Sequence, residues 1–348
     1  MAEEVSAGLL SKFKGSLIGA LVGDCLGAPF ELKGKVSPKV LEKYINNLLN
    51  KGSKQIISYT DDTSMTLSIA NSLVENGKVD PKDLAQKFVT EYLKPEYRCY
   101  GLHVVRVFQA LKETDFEDVF LPAKAQFNGS GSYGNGAAMR IAPIALFGCQ
   151  ETDEFLKDAV ERCSKVTHTH PDGYNGAILQ CFAVHAALKS DSSKDLDPVD
   201  FLTQLENRMK NIETNKSAAP FCESLKKIKD IYLKNQEDIS ATEIAEYLGN
   251  GETAPRSVPT ALYSFLRGMK PIPHFKCSNP FVRTIYFAIS VAGDTDTIAC
   301  MAGSIAGAYY GVEIIPEKLY KCCEAVDQVS KVAELLYAQD CQSNVGGK

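Results

Sequence analysis

Apolar residues recur three and four positions apart along almost the whole of this chain. The first long example is "LLSKFKGSLIGALVGDCLGAPFE", where glycine and alanine fill intervening positions and permit close packing. The same period runs through 64–77, 80–94, 99–111, 135–147, 152–168, 173–190, 196–211, 220–235, 239–248, 257–268, 280–292, 295–310 and 315–338. No convincing alternating segment, the mark of a strand, interrupts it. Turn-forming runs such as "NGSGSYGNG" and "LGNGETAPRS" separate the periodic stretches. No fixed-period repeat and no low-complexity linker is present. The pattern predicts an all-α fold, a compact single domain over 1–348 with its core at about 12–338. The stretches 11–28 and 295–310 are apolar or small over most of their surface, which predicts central, buried helices.

Composition excludes several classes. With 45% hydrophobic and 23% charged residues the chain does not read as disordered. A net charge of -5 leaves no basic field to grip nucleic acid directly. Docking onto a partner that already sits on DNA stays open. The eleven cysteines are scattered, odd in number and without a CxxC pair. Several fall on apolar helical faces, as Cys181 does in "AILQCFAVHAAL". They read as reduced structural thiols in a reducing compartment. "MAEEVSAGLLSKFKG" has no apolar signal core, and its early glutamates fit a transit peptide poorly. No run of 18 apolar residues occurs, so no membrane span is expected. The expected home is an intracellular aqueous compartment.

Two acidic stretches carry the chemistry. In "YTDDTSM", Thr60 or Asp61 can cap a helix beginning near Thr63, and carboxylates there suit the helix dipole. Capping explains one acidic residue and leaves its neighbour unexplained, since like charges repel. In "GDTDTIACMAG", Asp294 and Asp296 flank Thr295, and Thr297 follows. The preceding stretch "PFVRTIYFAISVA" is mostly apolar, so this turn emerges from a buried element. Carboxylates close to a core are costly unless something positive pairs with them, and no lysine or arginine lies within several residues. A bound cation is the natural partner. Both clusters offer only oxygen, which suits Mg²⁺, Mn²⁺ or Ca²⁺ rather than zinc or copper. If the fold brings them together, Asp61, Asp62, Asp294 and Asp296 can hold two ions. Asp24, in a glycine-rich helix, reads as a buried hydrogen-bonded aspartate that fixes packing. Pro29 should end that helix and leave Glu31 on the following loop.

The segment "AQFNGSGSYGNGAAMRIAPIALFG" holds Gly129, Gly131, Gly134 and Gly136 ahead of a helix. Glycines permit positive φ, so several N–H groups can turn to one side and form a phosphate nest. The pattern is neither of the usual nucleotide fingerprints. Phe127 and Tyr133 flank it and can stack on a base or simply pack the loop. In "VTHTHPDGYNG", His168 and His170 end one helix and precede a Pro-Asp-Gly turn. Zinc lacks a third soft ligand there. C-capping explains a histidine at that place, and His168 can also donate to a phosphate. His185, on an apolar face, reads as a satisfied core residue.

Together "GALVGDCLGAPFE", "YTDDTSM", "FNGSGSYGNGAAMR", "HTHPDGYNGA" and "AGDTDTIACMAGSIAGAYYG" resemble the ADP-ribosylhydrolases related to dinitrogenase reductase-activating glycohydrolase. The resemblance runs from about Gly15 to the last helix. "QFNGSGSYGNGAAMR" and "SVPTALYSFLR" look most like the vertebrate ADP-ribosylserine hydrolase type, which also degrades poly(ADP-ribose) and cleaves O-acetyl-ADP-ribose. The resemblance implies an orthogonal helical bundle around a binuclear Mg²⁺ site. It implies metal ligands at Glu31, Thr60, Asp61, Asp62, Asp294, Asp296 and Thr297, with Glu31 as a mobile cover. It implies substrate contacts at Phe127, Gly131, Ser132, Tyr133, Gly134, Asn135 and His168. Catalytic work falls to Glu31, Asp61 and Asp62, and which of them is the general base stays open. The family's second motif reads "GGDTDT"; here Ala292 replaces its first glycine. Glu252 lies in a variable loop on the acceptor side. The implied partners are ADP-ribosylated proteins, serine-linked and including histones, and poly(ADP-ribose), in DNA repair after DNA damage. The implied places are nucleus, cytoplasm and mitochondrial matrix, and the implied state a monomer. Two other readings remain: an ADP-ribosylarginine hydrolase, and a non-catalytic ADP-ribose binder.

Overall fold

Proline and short polar residues start most helices, and one helix pair organises the rest. The computed structural model describes residues 2–31, 33–52, 55–214, 219–234 and 238–343. In chain order the helices are α1 (Ala2–Gly27), α2 (Pro38–Lys51), α3 (Asp61–Asn76), α4 (Pro81–Tyr92), α5 (Leu102–Glu113) and α6 (Leu121–Lys124). There follow α7 (Ala142–Phe147), α8 (Asp153–Ser164), α9 (Pro171–Lys189), α10 (Pro198–Lys210), α11 (Pro220–Leu233) and α12 (Ala241–Leu248). The last are α13 (Ala254–Gly268), α14 (Pro280–Ser290), α15 (Thr295–Tyr310), α16 (Glu317–Tyr320) and α17 (Val326–Ser343). Among the described residues there is no β-strand, only isolated bridges. The all-α bundle expected from the periodicity is what forms. Pro81, Pro171, Pro198 and Pro280 sit at first helical positions, where a missing N–H costs nothing. Asp80, Asp197 and Asn279 cap three of these helices through their side chains.

α1 lies along α15 for most of its length. Gly15, Gly19, Gly23 and Gly27 recur every fourth residue on α1 and face α15. At Gly23 an added Cβ would stand 2.1 Å from the Ala299 carbonyl oxygen, so only glycine lets the backbones meet. α9, α13 and α14 pack against α15, and α17 and α3 against α1. The buried apolar side chains form one connected cluster reaching from Phe13 to Leu336. No helix among the described residues is long and apolar enough to cross a membrane.

Three differences from the periodicity are instructive. α2 falls outside the periodic stretches, yet it buries Leu41, Ile45 and Leu48 on one face. The stretch 315–338 is not one helix. Ile57 N–H donates to the Cys322 carbonyl at 2.7 Å and Glu324 N–H to the Ile57 carbonyl at 2.9 Å, so these groups leave the helical ladder. The expected helix 135–147 is a 3₁₀ turn at Asn135–Ala137 followed by α7. Asn235, the end of the expected 220–235 stretch, lies outside the described residues.

Candidate active site

Asp24 is the anchor of the first acidic stretch. It is fully buried in α1. Its carboxylate accepts from Thr60 N–H at 3.1 Å, Thr60 Oγ1 at 2.9 Å, Thr63 N–H at 3.1 Å and Thr63 Oγ1 at 2.6 Å. These donors fix the first turn of α3 against α1. Thr60 is the N-cap, accepting from Asp62 N–H at 3.4 Å. α3 begins at Asp61, two residues before the expected Thr63, so both aspartates lie in its first turn.

The second stretch meets the first through α15. Thr297 Oγ1 donates to Asp62 Oδ1 at 3.3 Å, across 235 residues of sequence. The other Asp62 oxygen is buried without a hydrogen-bond partner among the described residues. Asp294 Oδ2 accepts from Asn135 Nδ2 at 2.6 Å. Thr295 Oγ1 donates to the Gly27 carbonyl at 2.9 Å. α1 stops at Gly27, ahead of Pro29, and Glu31 follows a single 3₁₀ turn. That close contact brings Glu31 to Asp294 and Asp296, whose ligand oxygens and its own all lie within 4.8 Å of one another.

A cavity of about 460 Å³ opens over these groups. Its walls include Glu31, Asp61, Asp62, Asp294, Asp296 and Thr297 on the acidic side. Phe127, Ser132, Tyr133, Gly134, Asn135 and His168 line the other side, with Glu252 at the edge. Thr60 and Gly131 do not line it. Thr60 is turned to Asp24, and Gly131 is packed on Thr169 and His170. A larger groove of about 1050 Å³ lies beyond Gly293, beside α12, and gathers no comparable acidic cluster.

Burial dominates the electrostatics. It raises the carboxyls of Asp61 and Asp62 well above the ordinary range, with Asp24 the next cause for each. Asp296 is pushed to about 10, first by burial and then by Asp294. Glu31 moves upward for the same first cause. The buried cation of this region, Arg140, is engaged elsewhere: it donates to the Gly136 carbonyl and to Thr167 Oγ1, each at 2.7 Å. An acidic, oxygen-only cluster with no ion pair to a cation among the described residues, one oxygen of it orphaned, fits a hard divalent cation. Such a cation would reverse these shifts.

The glycine-rich loop is stitched to its surroundings. Asn135 N–H donates to the Glu252 carbonyl at 2.9 Å and Ala254 N–H to the Tyr133 carbonyl at 3.1 Å. Positive φ occurs at Gly129 and Gly131, but not at Gly134 or Gly136. Phe127 and Asn128 adopt it instead, at φ 50° and 56°. Gly134 and Gly136 serve close approach to the His168 ring. A row of rings borders the cavity: His103 to Phe127 at 4.4 Å, Phe127 to Tyr133 at 5.3 Å, Tyr133 to His170 at 5.7 Å. His170 does not C-cap the helix before it. Its Nδ1 accepts from Asp172 N–H at 3.1 Å and caps α9, because Pro171 opens that helix rather than a turn. His103, Cys99 and Arg140 also line the cavity and were not read from the sequence. Arg140 left one sign, a lone cation in the apolar run after the glycine loop. His103 and Cys99 left none.

The chain is similar to known proteins over nearly all its length. The family model described as ADP-ribosylglycohydrolase matches residues 5–345. ADP-ribosylhydrolase ARH3 of Xenopus tropicalis is 42% identical over 347 residues, covering 96% of this chain and 97% of that protein. ADP-ribosylhydrolase ARH3 of Homo sapiens is 40% identical over 348 residues, covering 94% and 93%. A solved structure, an ADP-ribosylglycohydrolase-related protein complex, shares the fold with a TM-score of 0.68 at 22% identity, covering 96% of this chain and 99% of that one. Because the match runs unbroken through both acidic turns and the loop between them, the chain belongs to the ADP-ribosylglycohydrolase family and is a hydrolase of glycosidic bonds.

Proposed function

We propose that the chain removes ADP-ribose from serine on proteins in an Mg²⁺-dependent reaction, and also cleaves poly(ADP-ribose) and O-acetyl-ADP-ribose. The observation that carries this reading is the meeting of Asp62 and Thr297, 235 residues apart, in a cavity bordered by aromatic rings. Relatives named ADP-ribosylhydrolase at 40 and 42% identity support the ADP-ribosyl part. The serine preference rests on the resemblance of the "QFNGSGSYGNGAAMR" and "SVPTALYSFLR" segments. ADP-ribosylated proteins such as histones are the partners in this reading, with nucleus, cytoplasm and mitochondrial matrix as its places and a monomeric, single-domain enzyme as its form.

In the bound state, adenine stacks on Phe127 and Tyr133. Ser132, Gly134 and Asn135 surround diphosphate and ribose, with Gly131 turning the loop behind them, and His168 donates to a phosphate oxygen. Glu31, Thr60, Asp61, Asp62, Asp294, Asp296 and Thr297 would hold two Mg²⁺ ions, which supply positive charge to bind the ribose hydroxyls and acidify a water. The bond from C1″ to the serine oxygen breaks while positive charge grows on the ribose ring. The buried carboxylates stabilise that charge. One of Glu31, Asp61 and Asp62 takes the proton of the attacking water, whose oxygen bonds to C1″. The serine oxygen leaves and is protonated to the hydroxyl. Glu31 is half-buried on a turn outside α1, a place suited to closing over substrate.

The test is release of free ADP-ribose from a serine-ADP-ribosylated peptide, with Mg²⁺ and with EDTA, for wild type and Asp296→Asn. Release should need the metal. In the variant it should fall by about 100-fold or more, since even groups that merely orient a metal ligand cost roughly 10–100-fold. Release from an arginine-linked peptide alone would move the reading to an N-glycosidic hydrolase. Tight ADP-ribose binding without any release would make the chain a binder.

A further inference from the structure

His168 is held from one side only. Its Nδ1 lies 2.7 Å from Thr167 Oγ1. The same hydroxyl oxygen lies 2.7 Å from Arg140 Nη2. All three residues are buried, Arg140 completely and Thr167 to within 1%. A guanidinium has donors and no acceptor, so Thr167 Oγ1 accepts from Arg140. The threonine then has one hydrogen to place. Among the described residues its only remaining neighbour of the right kind is His168 Nδ1. Were Nδ1 to carry a proton instead, the buried Thr167 hydroxyl hydrogen would be left without an acceptor, at a cost for any buried donor. That proton would also sit nearer the Arg140 charge. Hydrogen positions follow from this network.

We propose that Arg140 and Thr167 form a relay that fixes His168 as the neutral Nε2–H tautomer, leaving its one open donor for a phosphoryl oxygen of the ligand. Among the described residues nothing accepts from Nε2. That edge of the ring faces the glycine loop: a Cβ on Gly134 would stand 3.4 Å from Nε2, and one on Gly136 3.2 Å. The two glycines therefore keep the donor uncovered at the cavity wall. Burial, and after it the Arg140 charge, hold the imidazole pKa down at about 3. His168 thus stays a donor of fixed direction, with no charge of its own. Arg140 and Thr167 are positioning residues, acting through His168. The ligand half of this inference rests on the substrate reading above, whereas the tautomer half does not.

The experiment has two arms. In the first, two-bond hydrogen–nitrogen spectra of ¹⁵N-histidine-labelled, substrate-free protein identify the His168 tautomer, with His168→Gln assigning the signal. Nε2–H is expected in wild type and in Thr167→Ser, which keeps the hydroxyl, and a changed signal in Thr167→Val. An Nδ1–H signal in wild type overturns the relay whatever the substrate is. In the second arm, Thr167→Val raises KM about tenfold or more with little change in kcat, the pattern of a lost bond common to ground and transition states. Thr167→Ser restores it. In a His168→Gln background, where a side-chain amide donates without any tautomer to choose, Thr167→Val adds nothing further. An unaltered KM in Thr167→Val, with the wild-type tautomer as expected, overturns the ligand half and leaves the relay standing.

Discussion

At the scale of single residues, the turn before Asp294 is an exacting place in the chain. Ala292 and Gly293 both have positive φ, 59° and 72°. At Gly293 an added Cβ would stand 2.0 Å from the Asn250 carbonyl oxygen. Gly293→Ala is therefore expected to cost about 3 kcal/mol or more, from left-handed strain plus a clash with backbone. Ala292→Gly should act the other way. It relieves roughly 1–2 kcal/mol of strain and adds roughly 0.5–1 kcal/mol of chain entropy, a net gain of at most about 1.5 kcal/mol. Urea midpoints of both variants check this, and a large loss for Ala292→Gly would contradict it. The Ala292 strain was invisible in the sequence, where Ala for Gly reads as conservative. Oxygen donors at Asp61, Asp62, Asp294 and Asp296 were legible because side-chain chemistry is printed in the residue type. Which ring joins Phe127 was not, because His103 arrives from another helix. The Thr167–Arg140 link was hidden because the two lie in separate turns, 27 residues apart.

At the scale of elements, the α1–α15 contact does most to place the site. Gly23→Val is expected to cost about 2–3 kcal/mol, because overpacked backbone contacts cannot relax as flexible side chains do. Gly8 lies in the same helix with nothing within 4 Å of an added carbon. Gly8→Ala should raise stability by about 0.5–1 kcal/mol through helix propensity. Thermal melts of the two variants make the comparison, and equal shifts would count against the close-packing account. α1 and α15 were legible as central helices because small and apolar residues cover most of their surface over 11–28 and 295–310. The interruption near Cys322 was not legible. Its cause is pairing with Ile57, a partner far away in sequence, and a local pattern carries no information about that. α2 was missed although Leu41, Ile45 and Leu48 keep the helical period, with Tyr44 and Leu49 packed beside them.

At the scale of the whole molecule, buried histidine ties stability to pH. His185, expected as a satisfied core residue, is only 6% exposed on α9, and its Nε2 has no hydrogen-bond partner among the described residues. Burial, and then Arg208, lower its pKa from 6.5 to about 4. Below pH 6.5 the unfolded chain takes up a proton that the folded chain refuses. Stability therefore falls as pH drops from 6.5 towards 4, by up to about 3 kcal/mol for this group. His185→Phe should flatten that part of the pH profile, measured by urea midpoints across it. An unchanged slope would show that the group titrates normally. A different consequence follows from the pairing of α1 (Ala2–Gly27) with α15 (Thr295–Tyr310). On the ribosome α1 emerges well before α15, and its glycine groove waits for its partner for roughly 15–60 s at ordinary elongation speeds. Until then the nascent chain carries Glu31, Asp61 and Asp62 without Asp294 and Asp296. A message cut short would release a chain with half of this acidic cluster and an uncovered helix.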